Sequence, residues 1–260
     1  MMKKALVYFD THYPYHHKPT LDIMLQVARD EEVDYVYNGG DAFNADGISK
    51  YTHKKMERGI YETMREIDGF KKNVHDPLIR VLKPDKSFWC GGNHDIQRIK
   101  DLFVKLEEKR EEPELIEHFR ECMNLQKKFP FTEICEYNEG FWLGKLYITH
   151  GFYYNIHHSK KTVGEFGCNV MYGHTHTNQV FMQNIRANMQ PHQAIAVGCT
   201  CELDPPYKKH TPNAWQHSFA IVYLLPNGQY HSYTVNVVDN KTIWNGKIYY
   251  GQDRDLSKLY

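Results

Sequence analysis

Five short polar motifs follow one another along the first two thirds of the chain, and each contains residue types that bind metals. They are Asp10-Thr11-His12, Gly40-Asp41, Gly92-Asn93-His94-Asp95, His150-Gly151 and Gly173-His174-Thr175-His176. Carboxylate and amide oxygens and imidazole nitrogens suit Mn, Fe, Zn or Ni better than Cu(I) or calcium. Seven candidate ligands are too many for one tetrahedral site. They suit two metals that share a bridging carboxylate.

A structural role competes with metal binding for each of these residues taken alone. Asp10 could cap a turn, Asn93 could be a turn residue, and His150 could be a hydrogen-bonded core histidine. The chain also holds 16 histidines, more than structure usually needs, and metal binding is one reason to accumulate imidazole. The occurrence of all five motifs at predicted strand ends favours the metal site.

The elements that must position these motifs follow from hydrophobic patterning. "KALVYFD" predicts a buried first strand, and "VDYVYNGGD" predicts a second. Between them, apolar residues at helical spacing predict a helix over Thr20–Arg29 with an N-cap threonine: Leu21, Met24, Leu25 and Ala28. Strand, helix and strand within about 40 residues form a βαβ unit and indicate a parallel sheet. "KSFWCGGNHD" repeats the strand and polar turn, and ligands of such sheets gather beyond the carboxyl ends of strands.

The rest of the chain predicts further helices and a second run of strands. Residues 48–70 and 96–128 have helical spacing, and Pro113 should divide the latter into two helices. Successive strands are predicted from "GKLYITHG" to "KIYYG", with a hairpin turn in "LLPNGQY". We therefore predict one domain over residues 1–260, built as a two-sheet α/β sandwich with outer helices. A helical insertion is expected around 97–128, and a peripheral tail after Gly251.

The motifs in this order resemble those of the calcineurin-like metallophosphoesterase superfamily. The resemblance covers Asp10 to His176 and implies a four-layer α/β/β/α sandwich with a dinuclear metal centre. By position, it implies one metal at Asp10, His12 and His176, a second at Asn93, His150 and His174, and Asp41 as the bridge.

The resemblance also implies a mechanism. Two divalent ions, with Mn favoured in vitro and Fe, Zn, Ni, Co or Mg as alternatives, would generate a hydroxide that attacks phosphorus in line. His94 would stabilise the transition state or protonate the leaving oxygen, and Asp95 would orient His94.

Two features bear on the substrate. The G-N-H-D motif is similar to that of the phosphodiesterase and nuclease branches, and residues 42–52 lack the arginine with which related protein phosphatases hold a phosphomonoester. We therefore expect a phosphodiesterase acting on DNA or nucleotides. A phosphomonoesterase acting on phosphoproteins or metabolites is the alternative, and a binding protein with a degenerate centre is a third interpretation.

Two further stretches look like those of small phage-encoded members of the superfamily. They are the opening "DTHYPYHHKPT" and the Trp-x-x-Gly-Phe-like "TPNAWQHSF", in which Ser218 stands where glycine is common. Trp215 and His217 are thus weak candidates for lining the substrate cleft, with core packing an equal alternative for Trp215.

Charge and composition give weaker guidance. Lys+Arg and Asp+Glu both total 32, so the overall charge favours neither a nucleic-acid nor a membrane partner. Residues 50–80 carry eight basic against five acidic side chains, which could contact phosphates or form an ordinary helix face.

Six cysteines without a C-x-x-C pair indicate free thiols in a reducing compartment. We expect no signal peptide, no membrane span and a cytoplasmic protein, in the host cytoplasm if phage-encoded. The oligomeric state is left open.

Overall fold

The computed structural model describes residues 2–50, 56–185, 190–208 and 211–258. Thirteen strands lie in these ranges. They are β1 (Lys3–Tyr8), β2 (Tyr35–Asn38), β3 (Lys86–Gly91), β4 (Thr132–Tyr137), β5 (Gly140–Leu143), β6 (Leu146–Thr149), β7 (Asn169–Tyr172), β8 (Gln179–Ile185), β9 (Gln190–Ala196), β10 (His217–Leu224), β11 (Tyr230–Val237), β12 (Lys241–Trp244) and β13 (Lys247–Tyr250).

Two sheets contain all but the last two strands. The first sheet has the order β11-β10-β1-β2-β3-β4, and the second has the order β5-β6-β7-β9-β8. Strands β1 to β4 are mutually parallel, as are β6, β7 and β9. The parallel pairing predicted for the first strands is therefore confirmed, but both sheets are mixed, because β10 is antiparallel to β1 and to β11, and β5 and β8 are antiparallel to β6 and β9. Strands β12 and β13 form a separate antiparallel hairpin.

Seven α-helices accompany the sheets in the described part of the chain. They are α1 (Lys18–Asp30), α2 (Met56–Phe70), α3 (Asp76–Leu82), α4 (Ile96–Glu108), α5 (Pro113–Cys122), α6 (Leu125–Lys128) and α7 (His158–Phe166). A π-helical turn at Lys71–His75 joins α2 to α3. The start of the predicted 48–70 helix lies partly outside the described residues.

Apolar side chains alternate along β1 and so build two cores at once. Leu6 and Tyr8 pack under the outer helices, while Ala5 and Val7 pack against the second sheet. Helix α7 covers the far face of the second sheet through Val163. The order of layers is therefore helices, sheet, sheet, helix, which confirms the predicted four-layer α/β/β/α sandwich.

The structure corrects several local predictions. Helix α1 begins at Lys18, and its N-cap is His17, whose side chain accepts from the Thr20 N–H, so the predicted threonine cap is wrong. Residues 96–128 form three helices rather than two, and Ile99 and Phe103 on α4 lie in the main core. The tail is not peripheral, because Leu256 is buried and Arg254 pairs with Asp22 on α1.

Two further features concern the chain as a whole. All six cysteines are free thiols, as predicted. Among the residues that the structure describes, no helix combines the length and apolarity needed to cross a membrane.

Candidate metal centre

The polar motifs meet at one edge of the sandwich, beyond the carboxyl ends of parallel strands. Asp10, Asp41 and Asn93 follow β1, β2 and β3 of the first sheet, and His150 follows β6 of the second. His174 and His176 follow β7, so both sheets contribute side chains to the same point. The expected convergence of the five motifs is thus present in the fold.

The backbone at this edge is strained. Five candidate ligands have positive φ angles between 46° and 67°, a region that non-glycine residues rarely occupy: Asp10, His12, Asp41, His174 and His176. Strain of this kind costs about 1–3 kcal/mol per residue and concentrates at functional sites. The two histidines of the last motif are therefore not on an extended strand, and their side chains diverge.

One set of candidate ligands, the deep half-site, comprises Asp10, His12 and His176. All three are buried, and their donor atoms lie within 4.8 Å of one another. The His176 Nε2 is 3.3 Å from an Asp10 carboxylate oxygen and 3.2 Å from the His12 Nε2. This Asp10 oxygen, Oδ1, has no hydrogen-bond partner despite its burial. A cation among these atoms would satisfy all of them.

A second set, the shallow half-site, comprises Asp41, Asn93, His150 and His174. The donor atoms of Asp41, His150 and His174 lie within 4.8 Å of one another, and the Asn93 Oδ1 is 3.0 Å from the His150 Nε2. Asn93 and His174 are half-buried, so this set is open to solvent on one side. The last motif thus sends its two histidines to different half-sites, as the family resemblance implies.

Asp41 lies between the two half-sites. Its Oδ2 is 3.6 Å from the His12 Nε2 and 3.3 Å from the His150 Nε2. Its Oδ1 accepts a 2.7 Å hydrogen bond from the His94 backbone N–H. Burial alone would raise the pKa of Asp41, but the imidazoles of His150 and His94 hold it well below its usual range. The carboxylate is therefore anionic and lies within 3.6 Å of a histidine nitrogen of each half-site.

The tautomer of His150 provides a test of whether these residues fit a metal. Its Nδ1 lies 3.0 Å from the Gly39 carbonyl oxygen, which can only accept, so Nδ1 carries a proton. Its Nε2 then faces two oxygen acceptors, from Asn93 and Asp41, and needs a cation or a second proton there. Burial lowers the pKa of His150, yet the Asp41 carboxylate outweighs it and raises that pKa to about 9. The donor set therefore fits a divalent ion.

Sequence analysis did not identify Asn44 as a site residue. Its Oδ1 is 2.9 Å from the Nδ1 of both His12 and His94, which directs the other nitrogen of each ring toward the centre. Hydrogen bonds of this kind fix the tautomer and orientation of metal-binding histidines. The only signal in the sequence is an amide three residues after Asp41.

Asp95 has partners other than those the resemblance implies. It caps α4, and its carboxylate accepts from the backbone N–H groups of Gly92 and Ala42 and from the Trp89 indole. Burial raises the pKa of Asp95 to about 6. It thus holds the third motif against the second, and the side-chain oxygen that faces the His94 ring belongs to Asn44.

Two glycines allow the motifs to approach this closely. Gly40 has a φ of 102°, and a Cβ there would lie 2.7 Å from the His150 Nδ1. A Cβ on Gly92 would overlap the backbone and carboxylate of Asp41. Any larger residue at either position would push apart atoms that belong to the centre.

Trp215 and His217 lie close to the deep half-site. The Trp215 ring is half-buried, with its centroid 4.0 Å from that of His176. His217 stacks on His17 at 4.1 Å, and its Nε2 bonds to the Cys201 carbonyl oxygen. Cys201 in turn places its sulfur 3.7 Å from the His176 Nδ1.

Comparisons with known proteins concern the whole chain. No protein-family model and no curated protein matches it. The chain is similar to the solved structure of vacuolar protein sorting 29 from Cryptosporidium parvum, with 15% identity, a TM-score of 0.48, and coverage of 95% of this chain and 96% of that one. The structure of vacuolar protein sorting 29 from Entamoeba histolytica complexed with zinc is 12% identical, with a TM-score of 0.45. That match covers 97% of this chain and 99% of the other. The structure of a dimetal phosphatase from Danio rerio is 13% identical, with a TM-score of 0.45. That match covers 90% of this chain and 98% of the other.

Proposed function

We propose that the chain is a dinuclear-metal phosphoesterase of the calcineurin-like metallophosphoesterase superfamily and that it hydrolyses phosphodiesters. One observation carries the proposal: a buried carboxylate, Asp41, separates two sets of metal-binding side chains at distances that suit a shared ligand. The order of the motifs along the chain supports the same assignment.

The cations and the residues around them have different roles in the proposed reaction. When bound, two divalent cations supply Lewis-acid activation of a water molecule and of the phosphoryl oxygens. Asp41 holds the half-sites together, and Asn44 orients His12 and His94. The donors are oxygen and imidazole nitrogen, which accept Mn as well as Fe, Zn, Ni, Co or Mg.

His94 is the residue that we propose to contact the substrate. Its backbone bonds to Asp41, and its ring lies at 4.7 Å from that of His12, so it stands directly beside the centre. Because its Nδ1 faces Asn44, its Nε2 is the nitrogen available for a phosphoryl or leaving-group oxygen. Burial lowers the pKa of His94 to about 3 in the free protein. An anionic phosphoester beside the ring would raise that pKa, and Nε2 donates to a substrate oxygen only in the protonated ring.

The surrounding charges favour a diester over a monoester. A monoester dianion needs more positive charge than a diester monoanion, and phosphatases often supply it with arginine. The loop after Asp41 has no arginine. Helix α4 brings Arg98 to this loop, but its guanidinium contacts the Asn44 carbonyl oxygen and the Asp46 carboxylate. Its charge is therefore already partly neutralised.

The test compares a bis-aryl phosphate with the matching mono-aryl phosphate, using the Mn-reconstituted protein. We expect a higher kcat/KM on the diester and a fall of about 10²–10⁴-fold in kcat for His94→Ala, the usual contribution of a proton-transferring side chain. The metal content of this variant should stay unchanged. A preference for the monoester would favour the phosphomonoesterase alternative. Full metal occupancy without hydrolysis of either ester would favour a binding protein.

A further inference from the structure

A cavity of about 500 Å³ adjoins the metal centre, and we call it the side cavity. His174 of the shallow half-site and Trp215 form part of its wall. Tyr154 and Ile156, from the loop between β6 and α7, also line it. A molecule bound at the metals could therefore extend into this cavity without leaving the protein surface.

The rim of the side cavity is unusually apolar for a surface loop. Tyr154 is 84% exposed and Ile156 is 80% exposed, and both line the same cavity as the half-buried Trp215. Exposed aromatic and aliphatic side chains grouped around a cavity commonly mark a binding site. Tyr154 and Trp215 each present a π-system, on which a nucleobase of any sequence can stack.

The polar part of the wall is rigid and uncharged. The Gln216 side chain accepts a 2.8 Å hydrogen bond from the Asn178 N–H, and Gln179 bonds to Ser159. No aspartate or glutamate lines the cavity among the described residues. A neutral, amide-rich wall accepts a heterocycle without repelling the phosphates attached to it.

One lysine contacts the wall of the same cavity, and a second lies next to its rim loop. The Lys208 Nζ lies 4.6 Å from the Trp215 ring centroid. The Lys161 Nζ lies 4.2 Å from the ring centroid of Tyr153, the residue before Tyr154. Alternating aromatic and basic side chains are typical of grooves that bind single-stranded nucleic acid.

Other basic and apolar surfaces lack this combination. In the 50–80 stretch, Arg58 pairs with Glu62 and Lys71 pairs with Asp76. A larger cavity of about 910 Å³, bordered by Met182 of β8 and by the β12–β13 hairpin, holds none of the candidate ligands. The side cavity alone, among these surfaces, joins aromatic rings, lysines and the metal centre.

We infer that the side cavity holds an unpaired base of a single-stranded nucleic acid whose neighbouring phosphodiester lies at the metals. The base stacks on Tyr154 and Trp215, and Lys208 contacts a flanking phosphate. A base in a duplex is stacked and paired and would have to be flipped out to enter, so single strands are preferred. The inference rests on the proposed function and narrows its substrate class.

The test uses Tyr154→Ala, with Phe131→Ala as the matched control. Phe131 is also 84% exposed but precedes β4, at the opposite end of the sheet from the metals. On a single-stranded oligonucleotide, we expect Tyr154→Ala to raise KM about fivefold or more, as loss of a stacked base does. Phe131→Ala should change that KM less than twofold. Lys208→Ala should reduce the salt dependence of oligonucleotide binding.

Binding is measured separately from turnover by fluorescence anisotropy, in a Mn-loaded His94→Ala background. Deoxy and ribo oligonucleotides of one sequence are compared with each other and with the duplex, and we expect single strands to bind at least tenfold more tightly. If the bis-aryl phosphate is hydrolysed but Tyr154→Ala and Phe131→Ala behave alike on oligonucleotides, the inference is overturned and the proposed function stands. If neither ester is hydrolysed but Tyr154→Ala weakens binding, only the proposed function fails.

Discussion

The two half-sites of the centre differ in depth. Asp10, His12 and His176 of the deep half-site are all buried. In the shallow half-site, His150 is also buried, but Asn93 and His174 are half-buried and reach solvent. His174 and His176 both follow β7, the middle strand of its sheet, so the difference in depth arises in the turn beyond the strand and not from strand order.

Depth should govern what each half-site needs in order to be stable. A buried donor or acceptor without a partner costs about 1–3 kcal/mol, whereas an exposed one is satisfied by water. The deep half-site therefore depends on a bound cation, or on protons in its place. The shallow half-site can lose Asn93 or His174, its two half-buried ligands, and remain folded. Four experiments test this contrast.

The largest loss of activity and of bound metal is expected from a change at Asp41, which lies between the two half-sites. Asp41→Asn keeps the shape of the side chain but removes the charge that both cations share. We expect kcat to fall by about 10³-fold or more, beyond the 10- to 100-fold that follows loss of a residue behind a ligand. Metal content, measured by mass spectrometry, should fall below two ions per chain. Asp85→Asn, at an exposed carboxylate, is the control, and an unchanged metal content in Asp41→Asn would refute the bridging role.

Removing one histidine from each half-site tests depth directly. His176→Ala leaves the Asp10 Oδ1 and the His12 Nε2 buried without their neighbour, so we expect a loss of about 1–3 kcal/mol in the free energy of unfolding. His174→Ala should cost about 0.5 kcal/mol or less, because water can replace a half-buried ring. Urea titration measures both. Equal losses would show that depth does not distinguish the half-sites.

Asn44 contacts one histidine that belongs to a half-site and one that we assign to the substrate. Asn44→Ala removes the acceptor for the Nδ1 of both His12 and His94, and we expect a 10- to 100-fold loss of metal affinity or activity. Asn44→Asp keeps an oxygen in place and should restore most of both. Full metal affinity and an unchanged pH profile of activity in Asn44→Ala would contradict the positioning role.

The smallest effect expected is a pH-dependent release of protons. Without metal, burial lowers the pKa of His150 and of His176, but the carboxylates of Asp41 and Asp10 outweigh it and raise them to about 9 and about 10. At pH 7, both rings are then charged, whereas burial lowers the pKa of His12 to about 4 and keeps it neutral. Metal binding should therefore release about two protons at pH 7.

Calorimetry in buffers of different ionisation enthalpy measures this release, which should disappear above about pH 10. The sign for stability follows from the same shifts. Because both folded-state pKa values exceed the unfolded value of about 6.5, the two histidines stabilise the metal-free protein fully below that pH. Their contribution is lost as the pH rises through 9 to 10. Metal uptake at pH 7 without proton release would contradict the proposed protonation states.

Much of the fold was predictable because strands, helices and glycine turns leave local patterns. "KALVYFD" and "VDYVYNGGD" predict β1 and β2, and Pro113 does begin a new helix. Strands β4, β5, β8 and β12 were missed. Strand β4 shows why, since its burial alternates irregularly and its apolar residues are few. Local patterns also misplaced the cap of α1 and the tail, because both depend on contacts with distant parts of the chain.

The identity of the donors and their order along the chain can be predicted from local patterns, since each motif directly follows a run of strand-forming residues. Which donors meet depends on the packing of the two sheets. His12 and His176 are 164 positions apart, yet strand order and sheet packing bring their nitrogens to 3.2 Å. The same packing sends His174 to the other half-site, places Asn44 behind two histidines, and brings Tyr154 and Trp215 to one cavity. Such pairings arise from long-range packing, which no local spacing of residues specifies.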